Sequence, residues 1–313
     1  MNGITTKEAL ALLSTEGPEI YALFYRAHAV RMETRGNVVR LCGVVNAKSG
    51  MCHEDCKFCP QSVHSDSKID CYPLMDKDKM VERARESKGD LAGRFGIVTS
   101  GTSLTDAAEI ETVAQTIEEI NNGLGIQACS SLGNVSKDTL ARLKEAGLTR
   151  YHCNVETAES FFSQICTTRP WSDSVETIKA AKELGLSVCC GGLLGLGESL
   201  EQRVELLDSI RELDVDSVPL NFLNPIPGTP LENAKPITPL ECLKVIAVAR
   251  LMMPDKEIRV CGGREKNLRD LQSWSLISGA DGLMVGGYLT TAGRDVETDL
   301  RMIRDAGFEI EVE

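Results

Sequence analysis

Residues 94–130 read RFGIVTSGTSLTDAAEIETVAQTIEEINNGLGIQACS. The stretch begins and ends with apolar runs of strand length, at 94–99 and 126–130, and residues 106–122 between them have the periodicity of a helix. A strand, a helix and a second strand in this order predict two parallel strands joined by a crossover helix. This unit decides the fold class, because the same order recurs on both sides of it.

Strand and helix patterns alternate through the rest of the chain. Further strands are predicted at 38–45, 150–155, 187–194, 217–222, 257–261 and 282–285. Further helices are predicted at 76–88, 136–146, 173–184, 199–212, 238–252, 265–278 and 296–306. Eight such units predict an α/β fold, a (β/α)8 TIM-type barrel. Because residues 5–33 are also helical in pattern, we expect N-terminal helices at 1–35 that pack on a barrel formed by 36–313.

Composition and charge narrow the class of function. The 313 residues carry a formal net charge of −12, and nucleic acid is therefore not an expected partner, because phosphate binding needs a basic face. No apolar run reaches the length of a membrane span, and no secretory signal is visible at the N-terminus, so we expect a cytoplasmic protein without a membrane partner. Twelve cysteines in a reducing compartment indicate metal binding or thiolate chemistry. We expect Cys166 and Cys242 to be small buried hydrophobic residues.

Three cysteines lie in the loop after the first predicted strand, in the segment Cys52-His-Glu-Asp-Cys56-Lys-Phe-Cys59-Pro. Barrel enzymes carry their chemistry on loops at the carboxyl ends of the strands. Three thiolates at this spacing can hold three irons of a [4Fe–4S] cluster and leave the fourth iron open, whereas ferredoxin sites use four cysteines. The alternative is a zinc site that adds His53 or His64. Zinc sites usually pair two C-x2-C knuckles and the sequence has one, so an iron–sulfur cluster is favoured.

The C-x3-C-x2-C pattern with an aromatic residue before its last cysteine resembles the signature of the radical S-adenosylmethionine (SAM) superfamily. In that family SAM binds the open iron through its amino and carboxylate groups, and its reductive cleavage gives a 5′-deoxyadenosyl radical. The resemblance implies SAM contacts at a turn after the second strand, on the fourth strand and in a glycine-rich segment after the fifth. The implied contact residues are Phe58, Ser100, Gly101, Asn154, Glu156, Gly195 and Glu198.

Over nearly its whole length the chain resembles the biotin synthase family, with matching words at 52–62, 167–169, 191–198, 217–223, 228–231, 246–254 and 263–265. The resemblance implies sulfur insertion into dethiobiotin, with SAM consumed at each of two hydrogen abstractions and sulfur supplied by a second cluster in the barrel. It implies that Asn154 and Asn221 contact the ureido ring, and His152 stands where the family usually has another asparagine. Reduced flavodoxin or ferredoxin is the implied electron donor, and a homodimer is left open.

The second cluster departs from the family pattern. Family members hold a [2Fe–2S] cluster with three cysteines and an arginine, and one of those cysteines is replaced here by Gly96. Two further cysteines replace family serines at positions that strand alternation directs into the barrel. We therefore expect an auxiliary cluster of four irons, with Cys261 a stronger candidate than Cys42 because it shares a strand with the arginine. The predicted ligands and the neighbouring charge are Cys129, Cys189, Cys261, Cys42 and Arg259.

Cys153 and Cys190 have the opposite parity on their strands, so we expect them to pack outside the barrel against helices. Two other functions stay open at this point. One is a different radical SAM barrel enzyme, similar to hydrogenase maturases or methylornithine synthase, and the other is a carrier of iron–sulfur clusters. The asparagines and the inward thiols favour sulfur insertion, because a rearrangement needs no sulfur donor. The full set of SAM contacts argues against a carrier.

Overall fold

The computed structural model describes residues 3–89 and 91–311. Parallel strands close into a barrel: β1 (Val38–Lys48), β2 (Arg94–Thr99), β3 (Gln127–Ser131), β4 (Arg150–His152), β5 (Ser187–Cys189), β6 (Gly192–Leu194), β7 (Ser217–Phe222), β8 (Glu257–Val260) and β9 (Gly282–Met284). β5 and β6 together occupy one position of the barrel, and β9 pairs with β1 to close it. The predicted (β/α)8 barrel is therefore confirmed.

The helices follow the strands as the alternation predicts. They are α1 (Thr6–Leu13), α2 (Glu19–Arg35), α3 (Lys77–Gly89), α4 (Ala107–Glu119), α5 (Lys137–Glu145), α6 (Glu159–Phe162), α7 (Ser172–Glu183), α8 (Leu200–Glu212), α9 (Pro239–Met252), α10 (Arg264–Leu268), α11 (Trp274–Ile277) and α12 (Val296–Asp305). Capping boxes fix where α8 and α9 begin, with Ser199 and Thr238 as the N-cap residues. No helix within the described residues is long and apolar enough to cross a membrane.

The N-terminal helices α1 and α2 lie outside the barrel. α1 packs on α8 and α9, and α2 packs on α9 and α11. Leu13, Leu23 and Phe24 bury their side chains in this contact and belong to the main apolar core. The two helices thus form the predicted extension, while the division of the chain into units at residue 35 stays a prediction.

The predicted helix at 265–278 is divided into α10 and α11, and three strand details also differ from the predicted elements. The fifth strand breaks at Gly191, where a Cβ atom would lie 1.8 Å from the Pro219 carbonyl oxygen, so the chain passes too close to β7 for any other residue. The fourth strand ends at His152, before the backbone turns through Glu156 with a positive φ of 66°. A two-residue strand, β10 (Glu309–Ile310), pairs with the start of β1 and is too short to show a sequence period.

Register around the barrel sets which side chains share a level of the lumen. Cys129 pairs with Gly96 on one side, and Cys189 pairs with His152. Following the paired residues once around the barrel from any residue of β1 leads back to β1 eight residues earlier in the sequence. Residues at one height of the lumen therefore lie one sequence position further along their strand at each successive strand. Counting in this way from Cys42 on β1 places Cys129, Cys189 and Arg259 in its layer, on alternate strands.

Candidate active site

A cavity of about 450 Å³ opens at the carboxyl ends of the strands and extends into the lumen. Its wall contains two groups of free thiols. The upper group lies on the loop after β1 and consists of Cys52, Cys56 and Cys59. The lower group lies on β1, β3 and β5 and directly after β8, and it consists of Cys42, Cys129, Cys189 and Cys261. The fold therefore brings both predicted cluster sites into one cavity.

The upper thiols are half-buried on a loop that its own backbone holds together. Cys52 N donates to the Gln61 carbonyl oxygen at 3.0 Å, and Cys59 N donates to the Cys56 carbonyl oxygen at 3.0 Å. His53 and His64 are exposed, and the His64 ring contacts the His53 carbonyl oxygen at 3.2 Å, so both histidines lie outside the cavity that the thiols line. The zinc alternative therefore gains no support from the geometry.

No three His, Cys, Asp or Glu side chains converge on a single-ion site anywhere in residues 3–89 and 91–311. An iron–sulfur cube takes its thiolates at separate corners, so its ligands do not converge on one point. Burial raises the pKa of the Cys59 thiol to about 11, and a hydrogen bond with Cys166 raises the pKa of the Cys56 thiol. Iron binding at this loop must therefore displace protons from the sulfurs.

Cys166 is buried, as expected, but its surroundings are polar. Its Sγ atom lies 3.7 Å from Glu54 Oε2 and 3.5 Å from Thr168 Oγ1. Cys242 instead packs within the apolar core on α9. The expectation of a small hydrophobic residue therefore fits Cys242, whereas Cys166 belongs to a hydrogen-bonded group beside the upper thiols.

Five of the seven predicted SAM contacts line the cavity: Phe58, Ser100, Gly101, Asn154 and Glu156. Ser100 Oγ donates to the Gly50 carbonyl oxygen at 2.7 Å, which ties the turn after β2 to the cysteine loop. The remaining two, Gly195 and Glu198, lie outside the lining. Glu198 Oε1 accepts from Gly195 N at 2.9 Å and pairs with Arg203 Nε at 2.8 Å. Its carboxylate shapes the turn after β6, and a direct contact with SAM stays a prediction.

Glu156 is held in an unusual backbone conformation. Its φ of 66° lies in the left-handed region, which costs a non-glycine residue about 1–2 kcal/mol. Leu193 N donates to the Glu156 carbonyl oxygen at 2.7 Å and fixes this conformation. Burial raises the pKa of the Glu156 carboxyl, and the charge of Arg169 opposes that shift. Strain of this kind is concentrated at functional sites, and here it directs a carboxylate into the cavity.

The amide of Asn154 is held by the backbone of a neighbouring segment. Its Oδ1 atom accepts from Gly191 N at 3.0 Å, and its amide opposes the rise in the pKa of the nearby Glu156 carboxyl. Asn221 is fixed in a similar way, since its Nδ2 atom donates to the Gly192 carbonyl oxygen at 3.2 Å and its Oδ1 atom accepts from Gly262 N at 3.0 Å. Both amides thus have a set orientation at the cavity wall.

His152 lines the cavity on the same face of the chain as Asn154. Burial lowers the pKa of the His152 imidazole to about 4. The ring is therefore neutral at neutral pH and offers one donor and one acceptor nitrogen. His152 also pairs with Cys189 across β4 and β5, so it lies between the SAM-contact region and the lower thiols.

The lower thiols surround a buried guanidinium. The charge of the Arg259 side chain lies near Cys42, Cys261 and Cys189. Arg259 Nη1 is buried with no hydrogen-bond partner among the described residues, although the other end of the guanidinium pairs with Glu257. A buried cationic N–H without a partner is costly, and a negatively charged group amid the thiols would satisfy it. This donor set fits an iron–sulfur cluster.

Gly96 stands beside this group without contributing to it. A Cβ atom at Gly96 would lie 3.4 Å from Cys129 Sγ and 3.1 Å from Val44 Cγ1, so the position faces the lumen. The layer defined by the register contains three thiols and the arginine, while Cys261 lies two layers nearer the carboxyl ends. The register therefore favours Cys42 as the third ligand, in contrast to the sequence-based preference for Cys261.

The two cysteines of opposite parity point away from the lower thiols. Cys153 Sγ donates to Asn134 Oδ1 at 3.4 Å and to the Ser174 carbonyl oxygen of α7 at 3.9 Å, although it also borders the upper cavity. Cys190 is fully buried in the apolar core. The outward packing expected from strand alternation therefore holds for Cys190, whereas Cys153 contacts α7 but also lines the cavity.

Sequence reasoning missed two charged residues at the site. Arg169 lines the cavity, donates from Nη1 to Ser174 Oγ at 3.0 Å, and places its charge near Cys52, Cys56 and Glu156. Its only sequence signal is the matching word at 167–169, and the flanking helix allowed a simpler explanation. Glu54 is buried between two cluster cysteines, although a glutamate in a loop is usually exposed.

A parallel (β/α)8 barrel with a C-x3-C-x2-C loop over a large cavity defines a radical SAM enzyme. Residues 48–210 match the Radical SAM superfamily, and residues 219–309 match the Biotin and Thiamin Synthesis associated domain. Biotin synthase of Geobacter sulfurreducens is 51% identical over 303 residues, which cover 97% of this chain and 92% of that protein. Biotin synthase of Geotalea uraniireducens is 50% identical over 302 residues, covering 96% and 92%. The chain belongs to the biotin synthase family, as the sequence resemblance predicted.

Solved structures support the same fold. A methylornithine synthase superposes with a TM-score of 0.85 at 23% identity, covering 99% of this chain and 94% of that one. An [FeFe]-hydrogenase maturase from Carboxydothermus hydrogenoformans also gives a TM-score of 0.85, at 17% identity, covering 99% and 76%. At these identities the likeness shows the fold alone, and the choice among radical SAM enzymes rests on the biotin synthases.

Proposed function

We propose that this chain converts dethiobiotin to biotin by radical SAM sulfur insertion in the cavity described above. One observation carries the proposal: the upper and lower thiols face the same cavity, with His152, Asn154 and Asn221 at its wall. A sulfur-inserting enzyme needs a radical source and a sulfur source that one substrate can reach in turn. A rearrangement enzyme needs only the first.

The upper thiols of Cys52, Cys56 and Cys59 would hold the [4Fe–4S] cluster and leave one iron for SAM. Together these cofactors supply a primary alkyl radical, which can abstract hydrogen from the unactivated carbons that acid–base catalysis cannot attack. The chain supplies the binding groups. Glu156 presents its carboxylate to the ribose hydroxyls, and Arg169 offers the positive charge that suits the carboxylate of the methionyl group.

Phe58, Ser100 and Gly101 complete the SAM-facing wall. Phe58 offers an aromatic face to the adenine. Gly101, with a φ of 111°, brings its backbone into the turn in a conformation that L side chains rarely adopt. The turn is fixed to the cysteine loop by the Ser100 hydroxyl, so cluster and SAM sites keep a constant relative position.

The ureido ring of dethiobiotin has two N–H donors and one carbonyl acceptor. Asn154, Asn221 and His152 offer both kinds of complementary group. The backbone already holds both amides in place, so little side-chain entropy is lost when the substrate binds. A ring held in this way presents its target carbons to the radical source above and to the lower thiols beneath.

We infer that the lower site holds a four-iron auxiliary cluster that serves as the sulfur donor, with Arg259 as a neighbouring charge. Gly96 cannot bind iron, so a two-iron cluster of the family type would keep two of its three thiolates. Four lumen thiols are instead available, from Cys42, Cys129, Cys189 and Cys261. By the same resemblance, the electron that starts SAM cleavage comes from reduced flavodoxin or ferredoxin.

The test is an anaerobic assay of the reconstituted protein with SAM and dithionite. Dethiobiotin should stimulate 5′-deoxyadenosine formation and be converted to biotin. If the protein cleaves SAM but neither binds nor converts dethiobiotin, the substrate assignment is wrong and the chain is a different radical SAM enzyme. Failure to cleave SAM at all would reject the radical SAM assignment of this cavity.

A further inference from the structure

Glu54 lies between two ligands of the upper cluster, yet its side chain is only 8% exposed. A buried carboxylate is costly unless hydrogen bonds replace its water. Its position on a loop at the cavity wall therefore requires specific partners. These partners come from parts of the chain that are far apart in sequence.

Both carboxylate oxygens of Glu54 accept hydrogen bonds from hydroxyl groups. Thr102 Oγ1 donates to Oε1 at 2.5 Å, and Thr168 Oγ1 donates to Oε2. The Cys166 thiol also contacts Oε2, at 3.7 Å. The backbone carbonyl oxygen of Glu54 accepts from Ser62 Oγ at 2.5 Å. The residue is thus a hub with four donors.

The hub connects three loops at the carboxyl ends of β1, β2 and β4. The first carries the cluster cysteines, the second is the predicted SAM-binding turn, and the third carries Arg169 next to Thr168. Asp55 adds a second link to the third loop, because its carboxylate accepts from Thr167 N at 2.7 Å and its own N–H donates to Thr168 Oγ1 at 3.1 Å. Glu54 alone joins all three loops through one side chain.

Two other roles for Glu54 fit the geometry less well. As an iron ligand it would have to give up the hydroxyl groups that occupy its two oxygens. As a purely structural residue it would need no place at the cavity wall, whereas it lines the same cavity as the Cys52 and Cys56 thiols. A negative charge at this place opposes the addition of an electron to a nearby cluster.

We propose that Glu54 is a positioning residue of the radical cluster, which uses Thr102 and Thr168 to hold the cysteine loop in register with the SAM-binding turn and which lowers the reduction potential of the cluster by its charge. The inference rests on the proposed function of the upper thiols. It makes Thr168 part of the cluster support, although the residue touches neither SAM nor iron.

The first experiment compares Thr168→Val, Thr168→Ser and Thr102→Val with wild type in the anaerobically reconstituted chain. Thr298→Val is the matched control, since Thr298 Oγ1 donates to Asp295 at 2.7 Å at the start of α12. Iron content, the change of the reduced cluster's EPR spectrum on adding SAM, and the rate of 5′-deoxyadenosine formation are measured. A misplaced SAM with an intact cluster should slow cleavage by roughly tenfold or more.

We expect both Thr→Val variants near the cluster to keep their iron but to lose the SAM-dependent spectral change and most of the rate. Thr168→Ser should restore both, and Thr298→Val should resemble wild type. Wild-type spectra and rates in Thr168→Val and Thr102→Val would overturn the proposal. So would a loss of rate that merely follows a loss of iron, because that pattern describes a structural role.

The second experiment measures the midpoint potential of the upper cluster in Glu54→Gln, which keeps the size of the side chain and removes its charge. The potential should rise, because the added electron no longer meets a nearby negative charge. An unchanged or lower potential would refute the electrostatic part. Wild-type protein that does not cleave SAM would instead reject the proposed function, so the two failures are distinguishable.

Discussion

Removing the two thiols that this chain has gained should empty the lower site and leave the upper one intact. In Cys42→Ala/Cys261→Ala the lower site keeps only Cys129 and Cys189, too few to anchor a four-iron cluster. Wild-type protein should hold about eight irons, four at each site, and the double variant about four. SAM cleavage should continue, because the upper thiols are untouched, while biotin formation should cease.

The single variants separate the two thiols. Cys42 shares a layer of the lumen with Cys129, Cys189 and Arg259, so Cys42→Ala should lose more lower-site iron than Cys261→Ala. The assay is iron content with Mössbauer spectra of anaerobically reconstituted protein. Cubane-type signals alone are expected for wild type.

The matched control is Cys190→Ala, because Cys190 follows a predicted ligand directly but points into the apolar core. It should keep about eight irons and should make biotin. A clear [2Fe–2S] component in wild type would refute the four-iron assignment. A double variant that keeps its full iron load and still makes biotin would show that neither gained thiol is a ligand.

Three further predictions concern the upper site and the substrate wall. Alanine at any one cysteine of the upper group should abolish 5′-deoxyadenosine formation, since two thiolates do not anchor the cube; a normal yield would contradict the ligand set. Asn221→Ala should weaken dethiobiotin binding by about 1–3 kcal/mol, or about 5- to 150-fold in Kd by calorimetry, and a Kd equal to wild type would remove Asn221 from the site. Glu156→Gly relieves the left-handed strain, so the variant should unfold at a denaturant concentration no lower than that of wild type. Its affinity for SAM should fall, and an unchanged affinity would argue against the ribose contact.

A pH dependence follows from the half-buried imidazole of His152 at the cavity wall, because desolvation there lowers its pKa to about 4. In the unfolded chain the imidazole binds a proton near its ordinary pKa of about 6.5. The free energy of unfolding therefore decreases as the pH falls below about 6.5. His152→Asn should therefore lose less stability than wild type between about pH 7 and 5 in thermal unfolding of the reconstituted protein. Parallel losses in both proteins would show that His152 is not buried as a neutral ring.

The sequence predicted the barrel because its strands are buried on both sides and its helices are amphipathic, so the two periods differ clearly. The strands at Arg94–Thr99 and Ser217–Phe222 have the predicted bounds. The break at Gly191 could not be predicted, because it depends on how closely β7 approaches that backbone. Pattern within a strand is local, whereas the distance between neighbouring strands is a property of the closed barrel.

In the candidate site, too, local patterns were predictable from the sequence and contacts between distant segments were not. Strand alternation predicted that Cys42 and Cys261 face the lumen and that Cys190 does not, because parity is a local property. The burial of Glu54 and the place of Arg169 could not be read in this way. Both residues lie in loops, where no period applies; Glu54 finds its partners in other loops, and Arg169 donates to Ser174 on α7. A charged loop residue finds its partners only when the closed barrel brings the ends of the strands together.

The strand register explains how the cysteines of the lower site differ from the family pattern. The family's third thiol would stand at Gly96 on β2, next to Cys129. In this chain the neighbouring strand β1 carries Cys42, which the eight-residue offset of the barrel places level with Cys129, Cys189 and Arg259. The third thiol therefore stands on β1 in place of β2, and Cys42, Cys129 and Cys189 lie in one layer with Arg259 beside them. Cys261 lies two layers nearer the carboxyl ends and so adds a fourth thiol outside the plane of the other three, as the tetrahedron of irons in a four-iron cluster requires.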